Sequence, residues 1–216
     1  MDGTKRYHHK DLRQDLLLHA ARLIQDQGMK GFSMRKLAAL AGVSHAAPYR
    51  HFAGKDELIA TIMLEGHIRL RTALLAARDA TGGRARDQLL AMGRAYLDFA
   101  REKPEYLSLM FSGEGMSAVM NVACRNEGFQ AEDSDSFGAL EQTVRACQAE
   151  GSLDPSLPSG ALSFAVWSQV HGLALLRNEG MIGLMAAQRG YSEQAALEAV
   201  FDVFSRWYGA PAGSDA

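Results

Sequence analysis

Apolar residues recur along this chain at the three- and four-residue spacing of amphipathic helices, and no stretch shows the alternation typical of β-strands. Glycine and proline residues interrupt the pattern, with breaks at Gly28, Gly42, Thr81–Gly83, Pro104 and Gly151. The pattern therefore predicts an all-α protein. The predicted helices cover residues 12–28, 34–41, 45–51, 55–80, 84–103, 104–111, 137–149, 161–178 and 193–208, with a short apolar piece at 181–185 and no assignment for 112–127.

The stretch from Ser33 to Leu58 predicts a helix-turn-helix. Its first helix has one apolar face, with Ser33 as the N-cap and Gly42 as a stop signal. A second short helix begins after Ser44. Pro48 within it removes a backbone donor and disfavours helical geometry at the preceding residue, so we expect this helix to be short or irregular. Such a hairpin can place its second helix in the major groove of DNA, although similar hairpins occur in proteins that do not bind DNA.

The residue identities in this stretch resemble the DNA-reading segment of the tetracycline-repressor (TetR) family of bacterial transcriptional regulators, over roughly residues 12–58. The resemblance is carried by Gly42-Val43-Ser44, Tyr49-Arg50-His51-Phe52 and Lys55-Asp56-Glu57-Leu58, with Ala20, Ala21, Gly28, Phe32 and Ser33 upstream. It implies an N-terminal three-helix DNA-binding domain at residues 1–56. A helical-bundle domain for effector binding and dimerisation is implied at residues 57–216.

The candidate DNA-binding residues are Ser33, Arg35, Ser44, His45, Ala46, Tyr49, His51 and Lys55. The two serines cap helix starts, where free amides also suit a phosphate. Tyr49 and His51 can donate to the DNA backbone, and the resemblance implies a further phosphate contact from Lys55. We expect Arg35, His45, Ala46 and Tyr49 to read the bases, and the Ala46 methyl group to contact a thymine methyl group. We assign Leu37, Ala38, Val43 and Phe52 to the core of the small domain.

Charge is distributed unevenly along the chain. Residues 1–55 contain ten Lys and Arg against four Asp, a local charge of +6, whereas the remainder carries thirteen against twenty-one, or −8. This basic head includes a short basic arm, Lys5–Lys10, that could reach a groove or backbone phosphates. A basic head on an acidic body indicates that the head meets a polyanion. The alternative is a merely solvated charged face, but that does not explain why the excess coincides with the helix-turn-helix.

Other features of the 216 residues narrow the function classes. No apolar run is long enough to span a membrane, and the polar N-terminus does not resemble a signal peptide, so we expect a cytoplasmic protein. Cys124 and Cys147 lack metal or CxxC spacing and are expected to be reduced thiols, with a redox switch as the alternative. No nucleophile elbow, metal helix or phosphate loop is present, so no catalytic residue, metal or cofactor is expected. A helical adaptor that binds another protein is the third class considered, and the basic head argues against it.

Two predicted helices near the C-terminus are apolar on two faces. In the first helix one stripe is formed by Leu162, Val166, Val170 and Leu173, and the other by Phe164, Trp167, His171 and Ala174. In the second helix one stripe is formed by Leu197, Val200, Phe201, Phe204 and Tyr208, and the other by Ala199, Val203 and Trp207. A surface helix needs only one apolar stripe, so both helices require burial on several sides. Pairing each with its copy in a four-helix interface satisfies this requirement, and we therefore predict a homodimer.

Trp167–Gly172, together with Pro104–Tyr106 and Leu109–Phe111, resembles the C-terminal regulatory domain of TetR-like proteins with a Trp-His-Gly signature. That resemblance implies a dimerisation domain that in many members holds a small effector. The candidate pocket residues are Tyr106, Met110, Phe111, Met116, Met120, Trp167, His171 and Met185. The methionines and aromatics also suit ordinary core packing, and His171 suits a structural role.

The expected function is thus a homodimeric repressor that binds a palindromic double-stranded DNA operator and is released by a small apolar or aromatic effector. The alternative is a helix-turn-helix regulator without a small-molecule effector, either controlled by another protein or constitutive.

Overall fold

The computed structural model describes residues 9–123 and 135–207, which form ten α-helices and one short 3-10 helix and contain no β-strand. The all-α prediction is therefore confirmed. The helices are α1 (His9–Gly31), α2 (Met34–Leu40), α3 (Lys55–Ala80), α4 (Ala85–Glu102), α5 (Pro104–Met110), α6 (Gly113–Ala123), α7 (Ser136–Ala149), α8 (Ser159–Asn178), α9 (Met181–Ala187) and α10 (Glu193–Trp207). Helix α6 occupies most of the stretch that the sequence pattern left unassigned.

The chain packs as two compact units. The first unit comprises the described residues within Met1–His67 and Pro104–Asp133, and the second those within Ile68–Lys103 and Ser134–Ala216. Helix α3 is continuous and contributes residues to both units. Packing thus groups α5 and α6 with the N-terminal helices. The predicted boundary between a DNA-binding and an effector-binding domain, at residues 56 and 57, does not coincide with the division into packing units. That boundary stays a prediction.

Helix α2 begins and ends as its sequence predicts. Ser33 has an extended backbone, and its hydroxyl accepts a hydrogen bond from the Lys36 amide at 3.2 Å. At the other end Gly42 has φ of +67°, the left-handed region that favours glycine. The Val43 amide donates to the Ala38 carbonyl at 3.0 Å, and the Gly42 amide donates to the carbonyl of the helix's second-last residue, which completes a Schellman motif.

The second helix of the motif is a single 3-10 turn, Pro48–Arg50, preceded by turn residues from His45. This confirms the prediction of a short or irregular helix. The expectation that Pro48 would disfavour helical geometry at Ala47 is wrong, because Ala47 has φ of −62° and ψ of −44°. Its amide donates to the Ser44 carbonyl at 2.9 Å, and this closed turn offsets the local preference. Pro48 itself is buried and anchors the turn.

The first unit has a continuous apolar core. Helix α1 packs on α2 and α5, and the fully buried residues include Leu16, Leu17, Leu37, Ala38, Phe52, Leu58 and Ile62. Three of the four predicted core residues are therefore buried, whereas Val43 is only half-buried. The Arg13 guanidinium lies 5.1 Å from the centre of the Phe52 ring and makes a cation–π contact with it at the edge of the core.

Two glycines allow α3, α5 and α6 to approach closely. A methyl group added at Gly66 would lie 2.5 Å from the Met110 sulfur. One added at Gly115 would lie 2.5 Å from both the Leu109 carbonyl oxygen and the Met63 sulfur. Since the Leu109 oxygen belongs to the backbone, it cannot move aside as a flexible side chain could.

Gly115→Ala is therefore expected to lower the free energy of unfolding by about 1–3 kcal/mol through overpacking. Gly113→Ala is the matched control, because nothing lies within 4 Å of a methyl group at that position of the same helix. Urea unfolding of both variants measures the difference. Equal stabilities for the two would show that α6 is not packed as closely as described.

In the second unit, α4 packs against α7 and α8. The core includes Ala85, Val144, Cys147, Leu153 and Leu162. Helix α10 docks on α4, where Gly93 admits the Phe201 ring and Arg94 pairs with Glu198 at 2.8 Å.

The apolar faces of α8 and α10 divide in two. The inward faces are buried within the unit and include Leu162, Val170, Leu173, Ala174, Leu197 and Phe201. Large apolar side chains remain exposed on the same two helices, namely Phe164, Leu175, Leu176 and Val203. We call this set the α8–α10 exposed face. The first predicted stripe of α8 thus lies largely in the chain's own core. In its second stripe Phe164 is exposed, Trp167 and His171 are half-buried and Ala174 is buried.

None of the helices in residues 9–123 and 135–207 combines the length and apolar character needed to cross a membrane.

Candidate nucleic-acid interface and effector site

The candidate DNA-binding residues all lie between Ser33 and Lys55 in the first unit. Six of them are exposed, namely Ser33, Arg35, Ser44, His45, Ala46 and Tyr49, whereas His51 and Lys55 are half-buried. Tyr49 exposes 57% of its surface, so its ring and hydroxyl are accessible from solvent. Ser33 and Arg35 lie at the start of α2, whereas Ser44, His45 and Tyr49 present a hydroxyl, an imidazole and a phenol on the segment between α2 and α3.

Lys55 has a structural partner in addition to any role toward DNA. Its Nζ donates to the Met29 carbonyl at 3.2 Å and lies 5.6 Å from the centre of the Phe32 ring. Lys36 acts similarly, since its Nζ donates to the Gly31 carbonyl at 2.8 Å. Both lysines therefore satisfy carbonyls at the end of α1, where Gly28 breaks the helix with φ of +68°.

Arg50 is a candidate that the sequence interpretation did not include. It is exposed within the 3-10 turn, between Tyr49 and His51. Its guanidinium adds a permanent charge with several donors suited to phosphate. The signal was present in the sequence, because Arg50 belongs to the Tyr49–Phe52 segment and contributes to the basic head.

Five of the candidate effector residues belong to the first unit. Tyr106 and Met110 are buried, and Phe111 is half-buried with its ring 5.8 Å from that of His67. Met116 and Met120 on α6 are 52% and 61% exposed. The two α6 methionines thus lie on a helix surface.

The other three belong to the second unit. Trp167 and His171 on α8 stack with their ring centres 5.3 Å apart, and Met185 on α9 is 46% exposed. The Tyr96 hydroxyl lies 2.7 Å from His171 Nδ1, so a donating hydroxyl requires the imidazole proton on Nε2. Tyr96 is buried, and sequence reasoning missed it because its partner lies 75 residues away. An effector pocket built from residues of both units stays a prediction.

Burial lowers the pKa of His171 from its usual value of 6.5. The folded protein therefore holds the neutral imidazole at a pH where the unfolded chain has already taken up a proton. The stability that this neutral ring contributes is complete above about pH 6.5 and is lost as the pH falls toward the folded pKa.

We expect the thermal midpoint to fall on going from pH 7 to pH 5, and to fall less in His171→Gln, whose amide can still accept from Tyr96. Thermal unfolding of both proteins at several pH values measures the difference. Identical pH dependence in the two would remove His171 as the cause.

The thiol of Cys147 is buried and free, and burial raises its pKa to about 11. A thiol held protonated in this way is a weak nucleophile, which agrees with a reduced structural cysteine. Cys124 lies outside the described residues. Across residues 9–123 and 135–207 no three His, Cys, Asp or Glu side chains are grouped so as to hold a metal ion.

Two family profiles match this chain. The profile of bacterial regulatory proteins of the tetR family covers residues 16–62, which contain the helix-turn-helix. The profile of the tetracyclin repressor-like C-terminal domain covers residues 89–200, more than half of the chain. The chain belongs to the TetR family.

The membership confirms the resemblance carried by residues 33–58, and a family of regulators agrees with the prediction that the chain is not an enzyme. The Trp-His-Gly type of C-terminal domain stays a prediction. Curated relatives include the HTH-type transcriptional regulators Rv1816 of Mycobacterium tuberculosis and Mb1846 of Mycobacterium bovis, each 26% identical over 110 residues. The match spans 50% of this chain and 47% of each relative, so it covers about half the length of those proteins.

Solved structures are similar in fold to this TetR-family chain over most of its length. A protein of unknown function from Rhodococcus sp. RHA1 is 28% identical, with a TM-score of 0.71 over 95% of this chain and 99% of that one. A TetR family transcription regulator from Marinobacter aquaeolei VT8 is 20% identical, with a TM-score of 0.62 over 80% and 86% of the two chains. At that identity the second comparison supports the fold alone.

Proposed function

We propose that this chain is a cytoplasmic transcriptional repressor that binds a palindromic DNA operator as a homodimer. The observation that carries the proposal is the exposed surface from Ser33 to Arg50, which lies within the basic head and inside the segment matched by the tetR-family profile. Exposed side chains on a short turn before a long helix suit contact with a groove and its flanking phosphates.

The proposed contacts divide into two kinds. Arg50, His51 and Lys55 contact phosphates and so position the protein without reading sequence. His45 and Ala46 lie exposed on the turn ahead of Pro48 and read base edges, with Arg35 entering from α2. Tyr49 serves either role.

The proposed homodimer is supported by the α8–α10 exposed face. Phe164 is 60% exposed and Leu175 46%, and they lie eleven residues apart, so both project from the same side of α8. Large exposed apolar side chains grouped on one helix favour an interface. A second copy covers it with the same surface, as two-fold symmetry requires.

Fluorescence anisotropy tests the DNA-binding proposal. The labelled probes are fragments of the promoter upstream of the chain's own gene and a scrambled fragment of equal length. We expect tighter binding to a promoter fragment by a factor of about 10³ or more at physiological salt, with affinity falling steeply as salt rises. Equal, weak affinity for all fragments would contradict the proposal and favour the helical adaptor.

We further propose that a small apolar or aromatic effector releases the operator. Helix α3 supports a connection between effector binding and DNA binding, because it carries Lys55 at its start and its later residues belong to the second unit. An effector shifts DNA affinity only by its differential affinity for the two states. A coupling of about 1–3 kcal/mol gives roughly 5- to 150-fold release.

Reciprocity provides the test of release. A compound that lowers operator affinity is expected to bind the DNA-bound protein more weakly by the same factor. Apolar and aromatic metabolites that raise the thermal midpoint are titrated against free protein and against the operator complex, with Trp167→Ala as the pocket variant. If stabilising compounds leave operator affinity unchanged, the regulator without a small-molecule effector is the better account.

A further inference from the structure

The short link between the 3-10 turn and α3 is bridged by one acidic side chain. Glu57 lies in the first turn of α3, and its Oε2 accepts a hydrogen bond from the Ala53 amide at 2.6 Å. Helix α3 begins just after Gly54, whose carbonyl accepts from the Leu58 amide at 3.2 Å. The bond made by Glu57 therefore reaches beyond the end of the helix, to a backbone donor of the preceding loop.

The segment before this link carries most of the proposed DNA contacts. We call residues 44–52 the recognition segment. Two of its side chains, Pro48 and Phe52, are buried in the core of the first unit and anchor it there. Ala53, which follows, is exposed and lies outside both helical elements, so packing does not fix its backbone. The hydrogen bond to Glu57 thus restrains the chain at the point where the recognition segment meets α3.

Charge alone does not favour an acidic residue at this position. Glu57 is two residues from Lys55, a proposed phosphate contact, and a carboxylate there repels the DNA backbone. A carboxylate is, however, a stronger acceptor than a neutral group for a backbone amide. The neighbouring carboxylate of Asp56 has a different contact, since its Oδ2 accepts from Asn121 Nδ2 of α6 at 3.2 Å.

We propose that Glu57 is a positioning residue for DNA binding. It does not contact DNA itself. By holding the Ala53 amide, it fixes the direction in which the recognition segment joins α3, so less conformational freedom is lost when the segment binds. The inference rests on the proposed function, because this restraint affects recognition only if the segment contacts DNA.

The test compares Glu57→Gln with Glu57→Met in the full chain. Both substitutions remove the charge and keep a long side chain of similar helix propensity, but only glutamine keeps an oxygen acceptor. Anisotropy is measured on the promoter fragment that the wild type binds most tightly. We expect Glu57→Met to bind it about fivefold or more weakly than Glu57→Gln, as for the loss of one hydrogen bond. A role of charge alone predicts equal affinities for the two variants.

Hydrogen exchange provides a second measurement that does not require DNA. The exchange rate of the Ala53 amide is measured by NMR in the free protein. We expect slow exchange in the wild type and in Glu57→Gln, and exchange about fivefold or more faster in Glu57→Met. Asp56→Ala is the matched control, because it removes another carboxylate from the same helical turn and leaves the Ala53 bond in place. It should neither speed this exchange nor weaken DNA binding.

Circular dichroism establishes that each variant is folded, and Glu57→Ala replaces Glu57→Met if the latter does not fold. Equal Ala53 exchange in the glutamine and methionine variants, or weakening of DNA binding by Asp56→Ala as large as that by Glu57→Met, would overturn the inference. If the wild type binds DNA and the two Glu57 variants bind it equally well, only the positioning inference fails. If no fragment binds the wild type, the DNA-binding proposal fails and the inference falls with it.

Discussion

Phe164→Asp is expected to convert the proposed dimer to a monomer and to weaken operator binding strongly. Phe164 is 60% exposed on the surface of a single chain, and its ring centre lies 4.7 Å from that of Phe137, so an aspartate there removes this ring contact but buries no charge in the monomer. In the dimer the same carboxylate would be buried in an apolar seam at a cost of several kcal/mol. That cost raises the dimer dissociation constant on the order of a thousandfold. Loss of the second recognition surface then weakens operator binding.

Sedimentation equilibrium at micromolar concentration measures the first effect, and anisotropy on the operator measures the second. Leu157→Asp is the matched control, since Leu157 is 47% exposed but lies in the loop before α8. Val170 is unsuitable as a probe of the dimer. It is buried in the chain's own second unit, so a charge there would unfold the monomer. A Phe164→Asp chain that sediments as a dimer would contradict the proposed interface.

Replacing the proposed phosphate contacts should weaken binding to every DNA sequence. Arg50→Ala is expected to reduce the slope of log affinity against log salt by about 0.9, the value for one lost phosphate contact. Lys55→Ala should have the same effect. It also removes a hydrogen bond to Met29, so its thermal midpoint must be measured as well. Lys30→Ala is the control, because Lys30 is an exposed lysine of the head outside the proposed contacts.

His45→Ala should behave differently. It is expected to change which base is preferred at one operator position, by about 1–3 kcal/mol of discrimination, with the salt slope little changed. Anisotropy on a set of operators with single base substitutions, each titrated at several salt concentrations, separates the two behaviours. An Arg50→Ala variant that changes base preference without a change of salt slope would show that the proposed division of contacts is wrong.

The helix ends were predictable because their signals are local. Gly28, Gly42 and Gly151 all have positive φ, and each stands where the apolar periodicity stops. Pro48 likewise indicated a short second helix, and a 3-10 turn is found there. Glycine and proline determine these features through backbone geometry alone, with little influence from distant residues.

Features that depend on packing partners could not be predicted in the same way. Helical periodicity identifies an apolar face without identifying what covers it. Both stripes of α8 therefore looked alike, although Val170 is buried in the chain and Phe164 is exposed. For the same reason the pattern did not show that Met116 and Met120, which were predicted to line a pocket, are exposed on α6; their role in a pocket stays a prediction. Tyr96 was missed because its partner His171 is distant in sequence.

Footprinting of the wild-type chain on the promoter of its own gene tests the central claim most directly. Two recognition surfaces related by a two-fold axis must reach equivalent half-sites about 34–36 Å apart, or a multiple of that distance, along the DNA. We therefore expect protection of a palindrome whose two halves are separated by whole helical turns, and loss of both halves together in Phe164→Asp. Protection of a single half-site that persists in Phe164→Asp, or no protection at all, would contradict a dimeric DNA-binding regulator.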